Sequence, residues 1–335
     1  MRPPALTDER RRDASHASRQ SGPAGEGTLS RRRRRIRTWV TIVTFILPAL
    51  VLFCLLVLAP ILLAMYASVF KWNGFGILPQ NFVGLDNFTR MFQDEIFLGD
   101  LWRGLVLVIL SLVVQLPLAL GVALLLNQPM RGRAVYRLLF FAPYVISEVI
   151  AAVLFTMVFS EERGLANRVL DFVGLDALQS TWLSDPSTVM YTLFIVMTWK
   201  YFGFHMIIYL AGRQSIPNEV IEAAAIDGAN NRQIFRHVTL PLLGPTIRIS
   251  IFLSVIGAIQ LFDLVWVLTG GGPVHASETM AVTMFEYGFK RYQVGYASAI
   301  SVVMFILSLV FALGYQRWVM SRDTQGAITN MRDQR

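Results

Sequence analysis

Residues 38–70 read TWVTIVTFILPALVLFCLLVLAPILLAMYASVF, without a single Asp, Glu, Lys or Arg. Residues 104–130 and 292–316 form two further charge-free stretches. Each stretch exceeds the roughly 20 apolar residues that span a bilayer as a helix. Of the 335 residues 54% are hydrophobic and 16% charged, whereas soluble domains carry roughly 25% charged residues. The sequence therefore predicts an all-α, polytopic membrane protein.

Six hydrophobic segments are long enough to be transmembrane helices. They are residues 39–70, 105–126, 136–159, 189–210, 247–268 and 296–318. The chain is accordingly divided into a disordered basic tail at 1–37, a six-helix domain at 38–320 with a polar loop at 213–245, and a short tail at 321–335.

The basic residues are unevenly distributed along the chain. The net charge is +8, and a run of five arginines, Arg31–Arg35, directly precedes the first hydrophobic segment. Such a run marks the cytoplasmic side and contacts anionic lipids. No folded basic domain follows, which argues against nucleic-acid binding. The interpretation is a multi-pass cell-membrane protein with both termini cytoplasmic.

Three of the segments each carry an ionisable residue near their middle: Glu148, Lys200 and Asp263. A charge at this depth needs a partner or a water-filled path. One interpretation pairs Glu148 with Lys200 between helices. The other lets the charges line a substrate path, together with Gln260, which the three-residue spacing would place on the same helix face as Asp263.

Aromatic residues near Lys200 extend the candidate path. Sugar sites combine aromatic faces with polar groups, so Trp199, Tyr201 and Phe204 join the candidates, with lipid contact or core packing as the alternative.

Residues 215–241, SIPNEVIEAAAIDGANNRQIFRHVTLP, predict a helix–turn–helix too polar to cross a membrane. Gly228 is expected to end the first helix, Asn230 to cap the second, and Leu240-Pro241 to stop it. The small face of the first helix suits insertion into a cleft of another protein. An interfacial re-entry element is the alternative.

This loop closely resembles the EAA loop of ABC importer permeases. Four ordered segments look like the maltose- and glycerol-phosphate-type carbohydrate permeases: FVGLDNF at 82–88, WKYFGF at 199–204, FDLVWVLTGGGP at 262–273 and GYASA at 295–299. The resemblance covers residues 39–320. It implies the type I ABC importer permease fold and a subunit that works with a second homologous permease, two copies of an ATPase and an extracytoplasmic sugar-binding protein.

The resemblance also assigns roles to residues. The loop would be the coupling helix that docks in a groove of the ATPase. The docking residues would be Glu222, Ala223, Ala224, Asp227 and Gly228.

The sequence lacks the motifs that nucleotide binding or metal-dependent catalysis would require. There is no G-x-x-x-x-G-K-[ST] phosphate loop and no Cys/His metal set, so an enzyme is not expected. No cofactor is expected on this chain, since ATP and Mg²⁺ would bind the partner ATPase. Gly270, Gly271, Gly272 and Pro273 would form an outer turn or gate facing the binding protein, or a passive turn.

The substrate is the least defined expectation. A phosphate ester would need clustered Arg or Lys near the path, so a neutral di- or oligosaccharide is preferred to a glycerol-phosphate or polyol. An ion-coupled secondary transporter is the more distant alternative, because six unrepeated spans do not suit it.

Overall fold

The computed structural model describes residues 26–162 and 164–321, with side chains from residue 38 onward. The predicted tails at 1–25 and 322–335 lie outside the described residues. Residues 26–37 were expected to be disordered, but they belong to the first helix. The physical reason is that arginine is a good helix former and continues the adjoining hydrophobic helix.

The chain divides into two units, residues 1–62 and 63–335. In the described part of the first unit, α1 (Glu26–Phe53) passes through a π-helical turn (Cys54–Leu58) into α2 (Ala59–Ala67) without leaving helical conformation. Pro48 lies inside α1. Apolar side chains on this run, such as Phe45 at 80% exposure, are open to the surroundings, as a lipid-facing helix requires.

The second unit is built from short and long helices. After α2 come α3 (Asp86–Gln93), α4 (Glu95–Leu110), α5 (Leu116–Asn127), α6 (Arg133–Val145), α7 (Glu148–Val158), α8 (Leu165–Phe172), α9 (Val189–Gln214), α10 (Asn218–Ile226), α11 (Asn231–Ile234), α12 (Leu240–Leu242), α13 (Gly244–Ile259), α14 (Asp263–Leu268), α15 (Met280–Phe285) and α16 (Val294–Tyr315). Among the described residues no strand forms, and a lone antiparallel bridge joins Phe70 and Phe82.

Four helical runs are long and apolar enough to cross a membrane: Thr38–Ala67, Glu95–Asn127, Val189–Gln214 and Val294–Met320. Two further runs are bent pairs. Arg133–Val145 meets Glu148–Val158 at 99°, and Asn231–Leu242 meets Gly244–Ile259 at 63°. Six spans result when each bent pair counts as one. The predicted spans over 136–159 and 247–268 are present, but each is interrupted: the first between Val145 and Glu148, the second between Ile259 and Asp263.

The central packing is between α5 and α9. Ala119 and Ala123 on α5 are fully buried against Met206 and Tyr209 on α9. Small residues at such contacts let helix backbones approach closely, which replaces the hydrophobic driving force that is weak inside a membrane. This contact holds α9 in the middle of the second unit.

Gly203 determines how α6 lies on α9. A Cβ atom at this position would come within 1.9 Å of the carbonyl oxygen of Phe140. Because glycine has no Cβ, the α6 backbone can lie directly on α9. This close approach brings the end of α6 within reach of Lys200, one turn earlier on α9.

A buried polar network joins α4 to α15. The Thr283 hydroxyl lies 2.5 Å from Asp100 Oδ2 and 2.8 Å from Glu278 Oε1. Arg103 donates from Nη2 to Asp100 Oδ1 over 2.5 Å and from Nε to the Glu278 carbonyl over 2.8 Å. Asp100 is thus held by a guanidinium and a hydroxyl, and the Glu278 carboxylate contacts the same hydroxyl and the His275 ring, so neither acidic group is buried alone.

Candidate functional site

The break between α6 and α7 is closed by a single side chain from α9. The Lys200 ammonium donates to the carbonyl oxygens of Pro143 at 3.1 Å and Tyr144 at 2.9 Å, and also to that of Ile146. An ammonium has three protons, so this cap uses all of its donors. It satisfies carbonyls that the end of α6 leaves without an intrahelical partner and complements the helix dipole.

The ion pair between Glu148 and Lys200, one of the two interpretations of these charges, does not form. Glu148 is the first residue of α7, and its Oε1 accepts a hydrogen bond of 2.5 Å from the Tyr201 hydroxyl. Lys200 is 2% exposed and is occupied by the three carbonyls. The lysine therefore stabilises the break and does not line a path, contrary to that part of the prediction.

A cavity of about 410 Å³ lies beside this break. Five of the predicted path residues line it: Glu148, Tyr201, Phe204, Gln260 and Asp263. Eleven other residues complete the lining: Ser111, Gln115, Tyr144, Met197, His205, Leu253, Ser254, Gly257, Ala258, Leu261 and Phe262. The structure thus brings together side chains from α7, α9 and both sides of the break after α13.

Gln260 and Asp263 reach the cavity by a different route from the one expected. The helix α13 ends at Ile259, and Asp263 begins the separate helix α14. The argument from a shared helix face was therefore wrong, because the two residues are not on one helix. The break between them turns both toward the same space.

The aromatic lining is centred on Tyr144 and Phe204, whose rings stack with centroids 4.6 Å apart and planes 16° apart. Trp199 is not part of the lining. Its ring packs edge-to-face against Phe155 at 4.9 Å. Successive helical residues point about 100° apart, so Trp199 and Tyr201 face different surroundings on α9.

Several lining residues were not predicted. Ser111 and Gln115 are four residues apart in an otherwise apolar span, and that pattern could have identified them. His205 is a lone histidine in α9, and its sequence position alone does not single it out. Tyr144 could not have been found from sequence, because its position depends on the break that follows it.

The second candidate region is the helix α10 and its turn. Glu222, Ala223, Asp227 and Gly228 are exposed, and Ala224 is half-buried. The neighbouring Ile226 side chain is 85% exposed, which is unusual for a large apolar residue in a folded chain. The exposed surface of α10 is therefore formed by small, acidic and apolar side chains.

The turn after α10 has the conformation that the sequence predicted. Gly228 has φ +86°, a left-handed conformation that favours glycine, and ends the helix. Asn230 and Gln233 form a reciprocal capping box at the start of α11. The expected stop at Leu240-Pro241 was wrong, because helical backbone continues to Leu242. A π-helical turn at Phe235–Thr239 precedes Pro241, and such turns accommodate the missing N–H.

The glycine-rich segment after α14 is a compact turn. Gly270 and Gly271 have φ +61° and +89°, and the Gly272-Pro273 peptide bond is cis. The Ser277 hydroxyl donates to the Gly272 carbonyl over 2.6 Å. The segment is therefore a turn, while its position outside the membrane and a gating role stay predictions.

No group of three or more His, Cys, Asp or Glu side chains in the described ranges is arranged to hold a metal ion.

Comparison with known proteins relates this chain to a known family. Residues 115–322 match the family described as "Binding-protein-dependent transport system inner membrane component". A diacetylchitobiose uptake system permease protein, NgcF of Streptomyces coelicolor, is 34% identical over 311 residues, which cover 89% of this chain and 88% of that protein. A sulfoquinovosyl glycerol transport system permease protein, SmoG of Agrobacterium fabrum, is 32% identical over 281 residues, covering 84% and 91%.

A solved structure agrees with these sequences. A bacterial ABC transporter involved in the import of the acidic polysaccharide alginate contains a chain with a TM-score of 0.76 and 26% identity, covering 88% of this chain and 99% of that one. The family is one of transport permeases, not of enzymes. The bent spans, the exposed α10 turn and the matched residues agree: this chain belongs to the binding-protein-dependent transport system inner membrane component family, with the type I ABC importer permease fold.

Proposed function

We propose that this chain is the permease subunit of an ABC importer that moves a sugar, a di- or oligosaccharide, into the cytoplasm. The observation that carries the proposal is the cavity at the α6–α7 break, which combines stacked aromatic rings with carboxylate, amide and hydroxyl groups. This composition suits a sugar, whose faces are apolar and whose edges are hydroxyls. The named relatives handle carbohydrates, which supports the same class here.

The composition of the cavity also separates the alternatives. Among the described residues that line it there is no lysine or arginine. A glycerol-phosphate substrate would be held by such groups, so the proposal keeps a sugar without phosphate. An ion-coupled transporter is no longer needed, because the chain belongs to an ABC importer family.

The ATP hydrolysis that drives transport is proposed to take place on other subunits. A second permease, two ATPase copies and an extracytoplasmic binding protein would complete the importer, with ATP and Mg²⁺ on the ATPase and no cofactor on this chain. Both termini and α10 would be cytoplasmic, with the Gly270–Pro273 turn outside facing the binding protein. The alginate importer solved with its sugar-bound periplasmic protein supports such an assembly.

The proposed coupling site is the exposed end of α10. Alanines at 223 and 224 allow a partner backbone to approach closely. Glu222 and Asp227 offer carboxylates to an arginine on the partner, a pairing that is strong when bidentate. Closure of the ATPase dimer would then move this helix and shift the spans between inward and outward states.

Co-purification tests this proposal. We expect the chain, isolated from its membrane in mild detergent, to carry a second permease and an ATPase in fixed ratio. Glu222→Lys should reduce ATPase recovery at least tenfold, because it replaces attraction with repulsion at the contact. The matched control is Asp171→Lys, a charge reversal on the exposed face of α8.

Transport completes the test. In proteoliposomes containing all subunits, diacetylchitobiose and maltose serve as probes, and uptake should require ATP. A chain recovered alone, or uptake that continues after ATP is depleted, would contradict the proposal. Equal ATPase recovery in both variants would exclude Glu222 from the coupling contact.

A further inference from the structure

We propose that the cavity selects its substrate by charge, admitting neutral and amino sugars and rejecting acidic ones. Glu148 and Asp263 are the selecting groups. The inference deepens the proposed function and depends on it for the substrate class. Its central measurement, however, needs no sugar and no transport.

The first step is that carboxylate oxygens remain free in the cavity. Asp263 is exposed at the start of α14, and neither of its oxygens accepts a side-chain hydrogen bond from the described residues. Glu148 uses one oxygen for Tyr201 and has the other available. Free carboxylate oxygens accept hydrogen bonds from hydroxyl or ammonium groups and repel anions.

The second step concerns compensating cations. Lys200 is close enough to Glu148 to interact electrostatically, but it lies behind the wall and its three donors are used by carbonyls. Lys200 offsets part of the charge of Glu148. Asp263 has no comparable partner among the described residues, so it supplies most of the negative potential.

The third step concerns a polar group in the wall of the cavity. His205 is 4% exposed and belongs to the lining. Its Nδ1 atom is buried and has no hydrogen-bond partner within the described structure. A buried polar atom without a partner is costly, so a rotation of this ring that brings Nδ1 to the cavity would allow a ligand hydroxyl to satisfy it.

The fourth step is a contrast within the fold. The solved relative imports an acidic polysaccharide. A cavity with two carboxylates and no lining cation would repel such a substrate at short range in a low-dielectric setting. We infer that these two folds of similar shape differ in the sign of charge that they pass.

Thiol labelling measures the potential directly. Cys54 is the single cysteine in the sequence, so Cys54→Ser gives a cysteine-free background in one step. Gly257 lines the cavity, and a Cβ there would meet open space, which makes Gly257→Cys a suitable reporter. Ala177→Cys, exposed on the turn Asp176–Leu178, is the control position.

The reagents are methanethiosulfonates carrying a trimethylammonium or a sulfonate group, applied to the assembled complex at pH 7.5 and 8.5. Labelling of this chain is read by mass spectrometry. We expect the cation-to-anion rate ratio at Gly257→Cys, normalised to Ala177→Cys, to exceed one by on the order of tenfold. Asp263→Asn should bring this normalised rate ratio toward one. Glu148→Gln should lower the same ratio by a smaller amount. A normalised ratio near one, or a ratio that neither variant changes, would overturn the inference.

Protection of the Gly257→Cys thiol by sugars extends the test to the substrate. Diacetylchitobiose (neutral), chitobiose (two amines) and a disaccharide of uronic acids are tested for their ability to block the reporter. The uronide should require the highest concentration to block labelling. Asp263→Asn should reduce the difference in protective concentration between the uronide and the other two sugars. An equal or reversed order would contradict charge selection. Protection by none of the three, with the labelling ratio intact, would instead contradict the sugar site of the proposed function.

Discussion

Lys200 shows how one residue can permit an irregular backbone inside a membrane. Lipid offers no hydrogen-bond donors, so non-helical backbone is tolerated where protein or water satisfies it. The ammonium provides three donors at the point where α6 ends. Gly203, three residues later, lets α6 come close enough for those contacts. The cap and the close approach are therefore one arrangement on α9.

Replacing this cap should destabilise the second unit. Lys200→Met keeps the length of the side chain but leaves one buried and two partly buried carbonyls without their donor, which we expect to cost about 3 kcal/mol. The measurement is unfolding of the purified complex in mild detergent. Lys71→Met, at an exposed lysine, is the matched control and should have little effect. Equal stability of the two variants would show that the cap contributes nothing.

At the scale of elements, the breaks divide the chain into functional parts. The break between α6 and α7 places Glu148 at a helix start, and the break after α13 places Asp263 at another. A carboxylate in the first turn is favoured by the helix dipole. Short helices thus present acidic groups to the cavity that a straight span would direct elsewhere.

The capping box of α11 should control the order of the coupling loop. Asn230→Ala removes the hydrogen bond that the Gln233 N–H donates to Asn230 Oδ1, leaves the bond from the Asn230 N–H to Gln233 Oε1 possible, and should cost about 1 kcal/mol locally. Hydrogen exchange of the amides of 231–238 should become correspondingly faster. Asn231→Ala, one position further and outside the capping box, is the control. Unchanged exchange in Asn230→Ala would mean that packing, not the cap, holds this helix.

The elements also show how far sequence reasoning reaches. The charge-free runs identified the membrane-spanning segments, and the turn at Gly228 and the cap at Asn230 followed from local chemistry. The α6–α7 break was missed because it depends on Lys200, more than 50 residues away. The same break decides which polar residues meet in the cavity. Short stretches of sequence are enough to predict the helix caps, whereas the cavity depends on a contact between residues far apart in the sequence.

At the scale of the whole second unit, the network around Asp100 fixes α15 against α4, across 183 residues of sequence. Its hydroxyl link, Thr283, has a single proton for two carboxylate neighbours, so it donates to one of them at a time. The fully buried Asp100 depends on this hydroxyl and on Arg103.

Removing the hydroxyl should weaken this connection. Thr283→Val preserves shape but leaves a buried carboxylate with one donor fewer, and we expect a loss of roughly 1–3 kcal/mol. Unfolding in detergent measures it. Thr89→Val, at an exposed threonine on α3, should be close to neutral. If the two variants unfold alike, the network does not hold the helices together.

The break at α6 also has a consequence for the order of events during synthesis. Its halves contain 13 and 11 residues, or roughly 20 and 16 Å of helix, and each is shorter than the ~30 Å hydrocarbon layer. The lysine that satisfies their junction leaves the ribosome more than 50 residues after them. The nascent bent pair therefore needs shelter from lipid, by the translocon or by α5, until α9 arrives to complete it.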